Sequence, residues 1–222
     1  MEVEKVFDGV FKIDSRLCTV NLVKGSSVYG EDLINYRGRE YRLWNPYRSK
    51  LAAAILLGLN GLAIKEGSTV LYLGAATGTT SSHVSDIVGS KGMVYCVEIS
   101  ERNMRELFKV CDVRHNMLPI YKDARDVPSY SADVGTVDAI YQDVAARDQD
   151  DILLRNSALL KMSGHAYVAI KSQSIDVSMD PKEVYKNFFD KVGAVFDVIE
   201  SIDIGRYDKK HLFVTLKKTR KG

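Results

Sequence analysis

Glu98, Asp123, Asp143 and Lys171 stand at or just past the ends of the apolar runs Met93 to Val97, Leu118 to Tyr121, Val137 to Tyr141 and Ala166 to Ile170. Ahead of them, the run Thr69 to Leu73 stops at Gly74-Ala75-Ala76-Thr77-Gly78 and opens a helix-like segment at Thr80. Short β-branched runs of this kind suit strands buried on both faces, and ligands of open α/β sheets lie beyond the carboxyl ends of such strands. Turns alone would accept Asn, Ser or Gly at these positions, so charged groups at all of them point to a site. Gly74 and Gly78 let the backbone turn sharply and lie close to a flat ligand, with the amide of Ala75 on the pocket floor. Glu98, roughly 20 residues further on, is placed to accept both hydroxyls of a ribose. The loop lacks the middle glycine of a dinucleotide fingerprint and the Gly-Lys-Ser/Thr ending of a phosphate loop. A pyrophosphate is therefore disfavoured. An adenosine compound without phosphates remains, S-adenosylmethionine being the common example; a turn that binds nothing is the competing reading, and Glu98 weighs against it.

Around this pocket, Asp123 faces the adenine amino group and Asp143 sits where a transferring group belongs. Lys171 emerges at the edge of a buried run, where a lysine either titrates low or makes a tight ion pair, or simply marks where the strand meets water. Lys50 stands in the first turn of a helix, against the helix dipole. His211 opens the last apolar run, a place where a lone histidine is more often structural than catalytic. Arg37, Arg39, Arg42, Arg48 and Lys50 interleave with Tyr36, Tyr41, Trp44 and Tyr47. That pattern suits phosphates and exposed bases, and it equally suits a polar strand face with aromatics packed behind it.

The elements that must position these residues follow from patterning. Val6 to Ile13, Leu17 to Val23 and Glu40 to Leu43 read as strands of a small β-rich module, residues 1–44. Asn45-Pro46 reads as a helix start, with Leu51, Ile55 and Leu59 on one face. Strands at 69–73, 93–97, 118–121, 137–141 and 166–170 then alternate with helices at 80–88, 101–111, 148–161 and 181–192. Alternation of this kind predicts a Rossmann-like α/β fold over residues 45–222, a mostly parallel seven-stranded sheet with helices on both faces. The last runs, Val195 to Ile204 and Leu212 to Leu216, have only a short polar link and should pair antiparallel. Lys217 to Gly222 reads as a frayed basic tail.

Composition narrows the classes. A chain of 222 residues that is 45% hydrophobic buries a full α/β core. Cys18, Cys96 and Cys111 form no CxxC pair, which argues against a disulfide framework or a zinc site. No apolar segment reaches membrane-spanning length and the acidic N-terminus is unlike a secretory signal, so a cytoplasmic protein is expected. A formal charge of +2 offers only a weak field for a polyanion. If the chain works on nucleic acid, partners should help hold it.

Several segments, in order along the chain, carry a family resemblance: WNPYRSKLAAAIL from Trp44, VLYLGAATGTT from Val70, VYCVEIS from Val94, DAR from Asp123, YQDVAARDQ from Tyr141 and AIKS from Ala169. Together they resemble fibrillarin, and without the glycine- and arginine-rich leader of eukaryotic members the likeness is to the archaeal type. The resemblance implies an RNA ribose 2′-O-methyltransferase using S-adenosylmethionine. It also implies a box C/D guide ribonucleoprotein in which a guide RNA, a Nop-family scaffold protein and a kink-turn-binding protein select nucleotides of rRNA or tRNA; self-association stays open. By position, Thr79 and Thr80 would contact the cofactor, Glu98 with Ile99 the ribose, Asp123 with Ala124 the adenine, and Asp143 with Val144, Ala145 and Ala146 the methionine end. Lys50, Asp143, Lys171 and His211 match the family's Lys-Asp-Lys-His set. Lys171 would then orient or deprotonate the 2′-hydroxyl, or stabilise its developing charge. Ala146 and Arg147 stand where the family usually has Gln-Pro, so the resemblance does not carry over a cofactor contact by that glutamine's side chain. A small-molecule O-methyltransferase would share the cofactor half, but commonly adds a metal site or helical lid. A non-catalytic scaffold would not need Lys50, Asp143 and Lys171 together.

Overall fold

A computed structural model of the chain describes residues 2–220. Strands β1 (Val3–Phe7), β2 (Val10–Ile13), β3 (Arg16–Val20), β4 (Leu33–Tyr36) and β5 (Arg39–Leu43) form an antiparallel sheet in the order β1-β2-β3-β5-β4. The run expected as one strand, Val6 to Ile13, spans the end of β1, a turn and all of β2, because Asp8-Gly9 turns the chain with Gly9 at φ +76°. A side chain there would also press to 3.0 Å from the Ile87 Cα. Asn45-Pro46 does not start the helix. The Asn45 side chain accepts the Tyr47 amide at 2.9 Å, closing an Asx turn. Helix α1 (Lys50–Leu56) begins instead at Ser49, whose hydroxyl accepts the Ala52 amide.

Beyond α1 the expected alternation appears as β6 (Thr69–Leu73), α2 (Thr79–Val88), β7 (Met93–Glu98), α3 (Glu101–Val113), β8 (Met117–Tyr121), the single turn α4 (Ser131–Val134) and β9 (Val137–Gln142). It continues through α5 (Gln149–Asn156), β10 (Leu160–Lys171), the single turn α6 (Ser172–Ile175), α7 (Pro181–Val192), β11 (Phe196–Asp203) and β12 (His211–Lys218). These strands form a seven-stranded sheet in the order β11-β12-β10-β9-β6-β7-β8, and β12 runs antiparallel to both its neighbours. The helix expected to reach Lys161 stops at Asn156, because Leu160 already pairs with Val137 in the sheet. An irregular stretch at Ser163, φ +62°, separates that pair from the regular ladder that resumes at His165. Nor does the basic tail begin at Lys217. Lys218 is buried in β12 and donates to the Ser157 and Leu160 carbonyls at 2.6 and 2.9 Å, and burial lowers its pKa. Lys221 and Gly222 lie outside the described residues.

Helices α1, α2 and α3 cover one face of the large sheet through Leu51, Ile55, Val84, Ile87, Met104 and Leu107. On the other face α4, α5 and α7 bury Val134, Ile152, Leu153, Phe188 and Val192. The small sheet docks on α2 through a buried polar lattice. Arg42 reaches Glu31 at 2.7 Å and Asp86 at 3.1 Å, and Arg114 reaches the other Asp86 oxygen at 2.7 Å. Thr19 donates to Asp86 at 2.7 Å, so its oxygen is the acceptor for His83 Nδ1 at 2.8 Å. His83 Nε2 meets the Tyr29 hydroxyl at 2.8 Å, and the ring stacks on Trp44 at 4.7 Å.

That neutral histidine has a measurable consequence. Burial, reinforced by the Arg42 and Arg114 charges, holds its pKa well below the usual value. The unfolded chain therefore binds a proton there that the folded one refuses. Its stabilising effect is intact above the unfolded pKa and is lost as the pH falls below about 6.5, by up to about 1.4 kcal/mol per pH unit. Urea unfolding of the parent and of His83→Gln between about pH 7.5 and 5.5 measures this. The variant should lose that share of the slope; equal slopes would assign the acid sensitivity to other groups.

Candidate functional site

The chain leaves β6 toward β7 and β8, then returns to place β9 on the other side of β6. This reversal opens a crevice at the carboxyl ends, where open α/β sheets bind ligands. Leu73 is in register with Val97 on one side and Gln142 on the other, so the loops starting at Gly74, Glu98 and Asp143 leave the sheet side by side. The backbones almost touch. A Cβ on Gly74 would come to 2.4 Å of the Asp143 carbonyl oxygen, and φ at Gly74 is +80°. Gly78, φ +94°, starts α2 and lets it approach Leu107 and Val110 of α3, which a Cβ would meet at 3.3 Å.

A cleft of about 330 Å³ fills this crevice, at the lower end of the size range of small-ligand pockets. Gly74, Glu98, Ile99, Asp123, Ala124, Asp143, Val144, Ala145 and Ala146, all expected from sequence, line it. Ala76, Asn103, Lys122 and Arg125 also line it and were not foreseen. Glu98 is 7% exposed and is held from both sides: Oε2 accepts the Ala76 amide at 2.8 Å, and Oε1 the Ser100 amide at 2.7 Å. A carboxylate oxygen can accept more than one bond, so Glu98, which lines the cleft, keeps acceptor capacity that fits the diol of an adenosine ribose. Asp123 is fixed by Arg125, which also grips both oxygens of Asp148 at 2.7 and 2.8 Å. The Arg125 fork lowers the Asp148 pKa. The residues present thus suit a phosphate-free adenosine ligand, with Ile99, Val144 and Ala146 as apolar walls.

Ala75, Gly78, Thr79 and Thr80 form the turn and first helical turn beside the cleft rather than its lining. Thr80 is buried and its hydroxyl meets Ser49 Oγ at 3.0 Å, tying the start of α2 to the start of α1. Ala146 contributes only a methyl to the wall, and Arg147 points to solvent.

Beside the cleft the expected Lys-Asp-Lys-His set comes together. Lys50 Nζ contacts Asp143 Oδ2 at 2.6 Å, which gives this helix-start cation the partner its position requires. His211 is the first residue of β12, opposite Lys171 at the end of β10, because an antiparallel strand begins where its neighbour ends. Among the described residues none accepts a bond from the Lys171 ammonium; only its backbone amide is held, by Gln149 Oε1 at 3.4 Å. Asp208 is the functional candidate that the sequence reading missed. It lies 3.7 Å from Lys50 Nζ and 3.0 Å from His211 Nδ1, and so joins two residues far apart in the chain. His211 Nδ1 also lies 2.9 Å from the Lys209 carbonyl, which accepts from an Nδ1–H. The i, i+3 spacing of Asp208 and His211 within the polar link was the one signal available for this acid.

The basic and aromatic stretch divides. Arg42, Tyr41 and Trp44 are buried in the docking lattice or the core, as the bland reading of that pattern has it. Tyr47 and Arg48 stay exposed next to Lys50.

A sequence profile described as Fibrillarin matches residues 1–220. A fibrillarin-like rRNA/tRNA 2′-O-methyltransferase from Thermococcus sibiricus is 45% identical over 225 residues, spanning 98% of this chain and 100% of the relative. The crystal structure of Aeropyrum pernix fibrillarin with natively bound S-adenosyl-L-methionine superposes with a TM-score of 0.89 at 42% identity, covering 97% of this chain and 98% of that one. A fibrillarin chain from a fibrillarin/Nop5p complex gives a TM-score of 0.88 at 36% identity, covering 97% and 99%.

Proposed function

This chain belongs to the fibrillarin family, and from that premise we propose how its site works. The protein is an S-adenosylmethionine-dependent RNA 2′-O-methyltransferase that acts on rRNA and tRNA. It works in a box C/D ribonucleoprotein with a Nop-family scaffold protein, and that assembly also includes a kink-turn-binding protein and the guide RNA. The observation that carries this reading is the grouping of Lys50, Asp143, Lys171 and His211 at the mouth of a cleft whose buried acid suits an adenosine ribose. Residues 1–44 act as a docked module on the methyltransferase unit, 45–222. Among the described residues no helix is long and apolar enough to cross a membrane; we place the protein in the cytoplasm, with the RNA it modifies.

When bound, S-adenosylmethionine supplies a methyl group on a good leaving group, so alignment of the 2′-oxygen supplies most of the acceleration. Glu98 takes the cofactor ribose, and the Asp143 loop flanks its methionine end. Lys171, whose ammonium meets no carboxylate among the described residues, donates to the substrate 2′-oxygen and opposes the negative charge that grows there. Asp143 is held at Oδ2 by Lys50 and keeps Oδ1 as the acceptor toward which the hydroxyl proton is directed. Lys50 and His211 are in turn held by Asp208.

Asp208→Asn tests that last link. Loss of its charge releases the Lys50 and His211 contacts without touching the cleft, so cofactor affinity should hold while single-turnover methylation falls roughly ten- to hundred-fold. Asp208→Glu should recover part of the rate. An Asn variant as fast as the parent would remove Asp208 from the machinery. The function itself is tested by incubating the purified chain with labelled S-adenosylmethionine, with and without partner proteins and guide RNA. Label should enter RNA efficiently only in the complete assembly.

A further inference from the structure

The exposed end of the basic and aromatic stretch has no role in the chemistry above, yet it borders the catalytic cluster. Tyr47 is 71% exposed, and its ring meets Tyr207 edge to face at 5.1 Å. Tyr47 lies three residues before Lys50, and Tyr207 directly precedes Asp208. The ring pair and the Lys50–Asp208 ion pair therefore join the same two segments side by side. Tyr207 is anchored by packing on the core, whereas Tyr47, which contacts it, is largely open to solvent. Cations lie on the same two segments: Arg206 is over the Tyr207 ring at 5.6 Å, Arg48, next to Tyr47 in the chain, is over Tyr29 at 5.2 Å, and Lys209 and Lys210 are exposed in the same link as Tyr207. An exposed aromatic beside several cations suits a single nucleic-acid strand, with a base on the ring and phosphates on the charges.

We propose that Tyr47, braced by Tyr207, is a stacking platform for one base of the substrate RNA strand at the modified ribose, with Arg48, Arg206, Lys209 and Lys210 contacting its phosphates. Ribose methylation needs the strand held across the cleft mouth with the 2′-oxygen directed at Lys171. A stacked base beside Lys50 fixes the strand's position without reading its identity, because every base offers a π face. Identity is left to guide pairing. This inference rests on the ribose methyltransferase reading and adds to it a contact outside the Lys-Asp-Lys-His set.

The test uses the assembled particle under single-turnover, subsaturating conditions. Substrate RNAs are intact or abasic at the target nucleotide or at either neighbour. Tyr47→Ala should lower the rate about 5- to 150-fold on intact RNA, the worth of one base–aromatic stack. One abasic substitution should cost the parent a similar factor and cost the variant nothing more. Tyr47→Trp should keep the rate, and cofactor affinity should be the same in all three proteins. Equal rates for parent and Tyr47→Ala, or losses from Tyr47→Ala and from every abasic site that multiply, would overturn the proposal. So would a Tyr47→Ala chain that no longer assembles with the scaffold protein, which would make Tyr47 a protein contact. A parent particle that transfers no methyl at all would bring down the underlying function as well.

Discussion

Lys171→Ala should lower guide-directed methylation in the assembled particle by roughly a hundred- to a thousand-fold, the usual loss when one donor to a developing oxyanion is removed. S-adenosylmethionine affinity should stay close to that of the parent. The separation follows from the geometry. Lys171 ends β10 opposite His211, outside the lining of the adenosine cleft, and its ammonium contacts no described side chain. Truncating it leaves no carboxylate unpaired and opens no core. Lys171→Arg keeps the charge but replaces a compact donor by a planar fork, so it should recover little. Cofactor titration and single-turnover rates on the same preparations check both halves; substantial residual turnover in Lys171→Ala would remove it from the reaction.

Gly74→Ala should damage the cofactor half instead. The added Cβ would stand 2.4 Å from the Asp143 carbonyl oxygen, which belongs to backbone and cannot swing aside. The left-handed φ of +80° adds strain. Overpacking and backbone strain each cost about 1–3 kcal/mol, so a loss of roughly 2–6 kcal/mol of stability is expected. The loops carrying Gly74 and Asp143 must part to admit the methyl, which misplaces both walls of the cleft and weakens S-adenosylmethionine binding. Gly58→Ala is the control, because Gly58 has φ +99° with nothing within 4 Å of the new Cβ. It should show the strain alone. Thermal unfolding and cofactor titration of the two variants separate these contributions, and similar behaviour in both would mean that the Gly74–Asp143 approach is unimportant.

The parts of this molecule most legible in its sequence are those fixed by long buried runs. Val70 to Leu73 could only be an interior strand, and the glycine loop after it announced a turn with close backbone approach. The acids and lysine at successive strand ends then fell on one edge because parallel strands end together. Short, half-polar elements were less legible. Leu33–Tyr36 is a four-residue edge strand with one exposed and three half-buried positions, too brief for an alternation to stand out. Asn45-Pro46 carries a helix-start signal that the chain uses for an Asx turn, and Ser49 starts the helix instead.

Residues whose role depends on tertiary pairing could not be sorted locally. Arg42 and Arg48 look alike in sequence, yet one is sealed against Glu31 and Asp86 and the other is open to solvent. Thr80 also ties the start of α2 to Ser49 at the start of α1, a contact that its place in the glycine loop did not announce. Asp208 became visible only when β12, running against β10, brought its link beside the start of α1.

The central claim is that this chain places a methyl group on one ribose 2′-oxygen chosen by a guide. A 2′-O-methyl group removes the nucleophile on which alkaline and ribonuclease cleavage depends. Labelled product RNA from the complete particle should therefore resist cleavage at one guide-specified linkage, and replacing that nucleotide by its 2′-deoxy form should abolish labelling. Methyl groups recovered on a base, or at positions that do not move when the guide sequence is changed, would contradict the account.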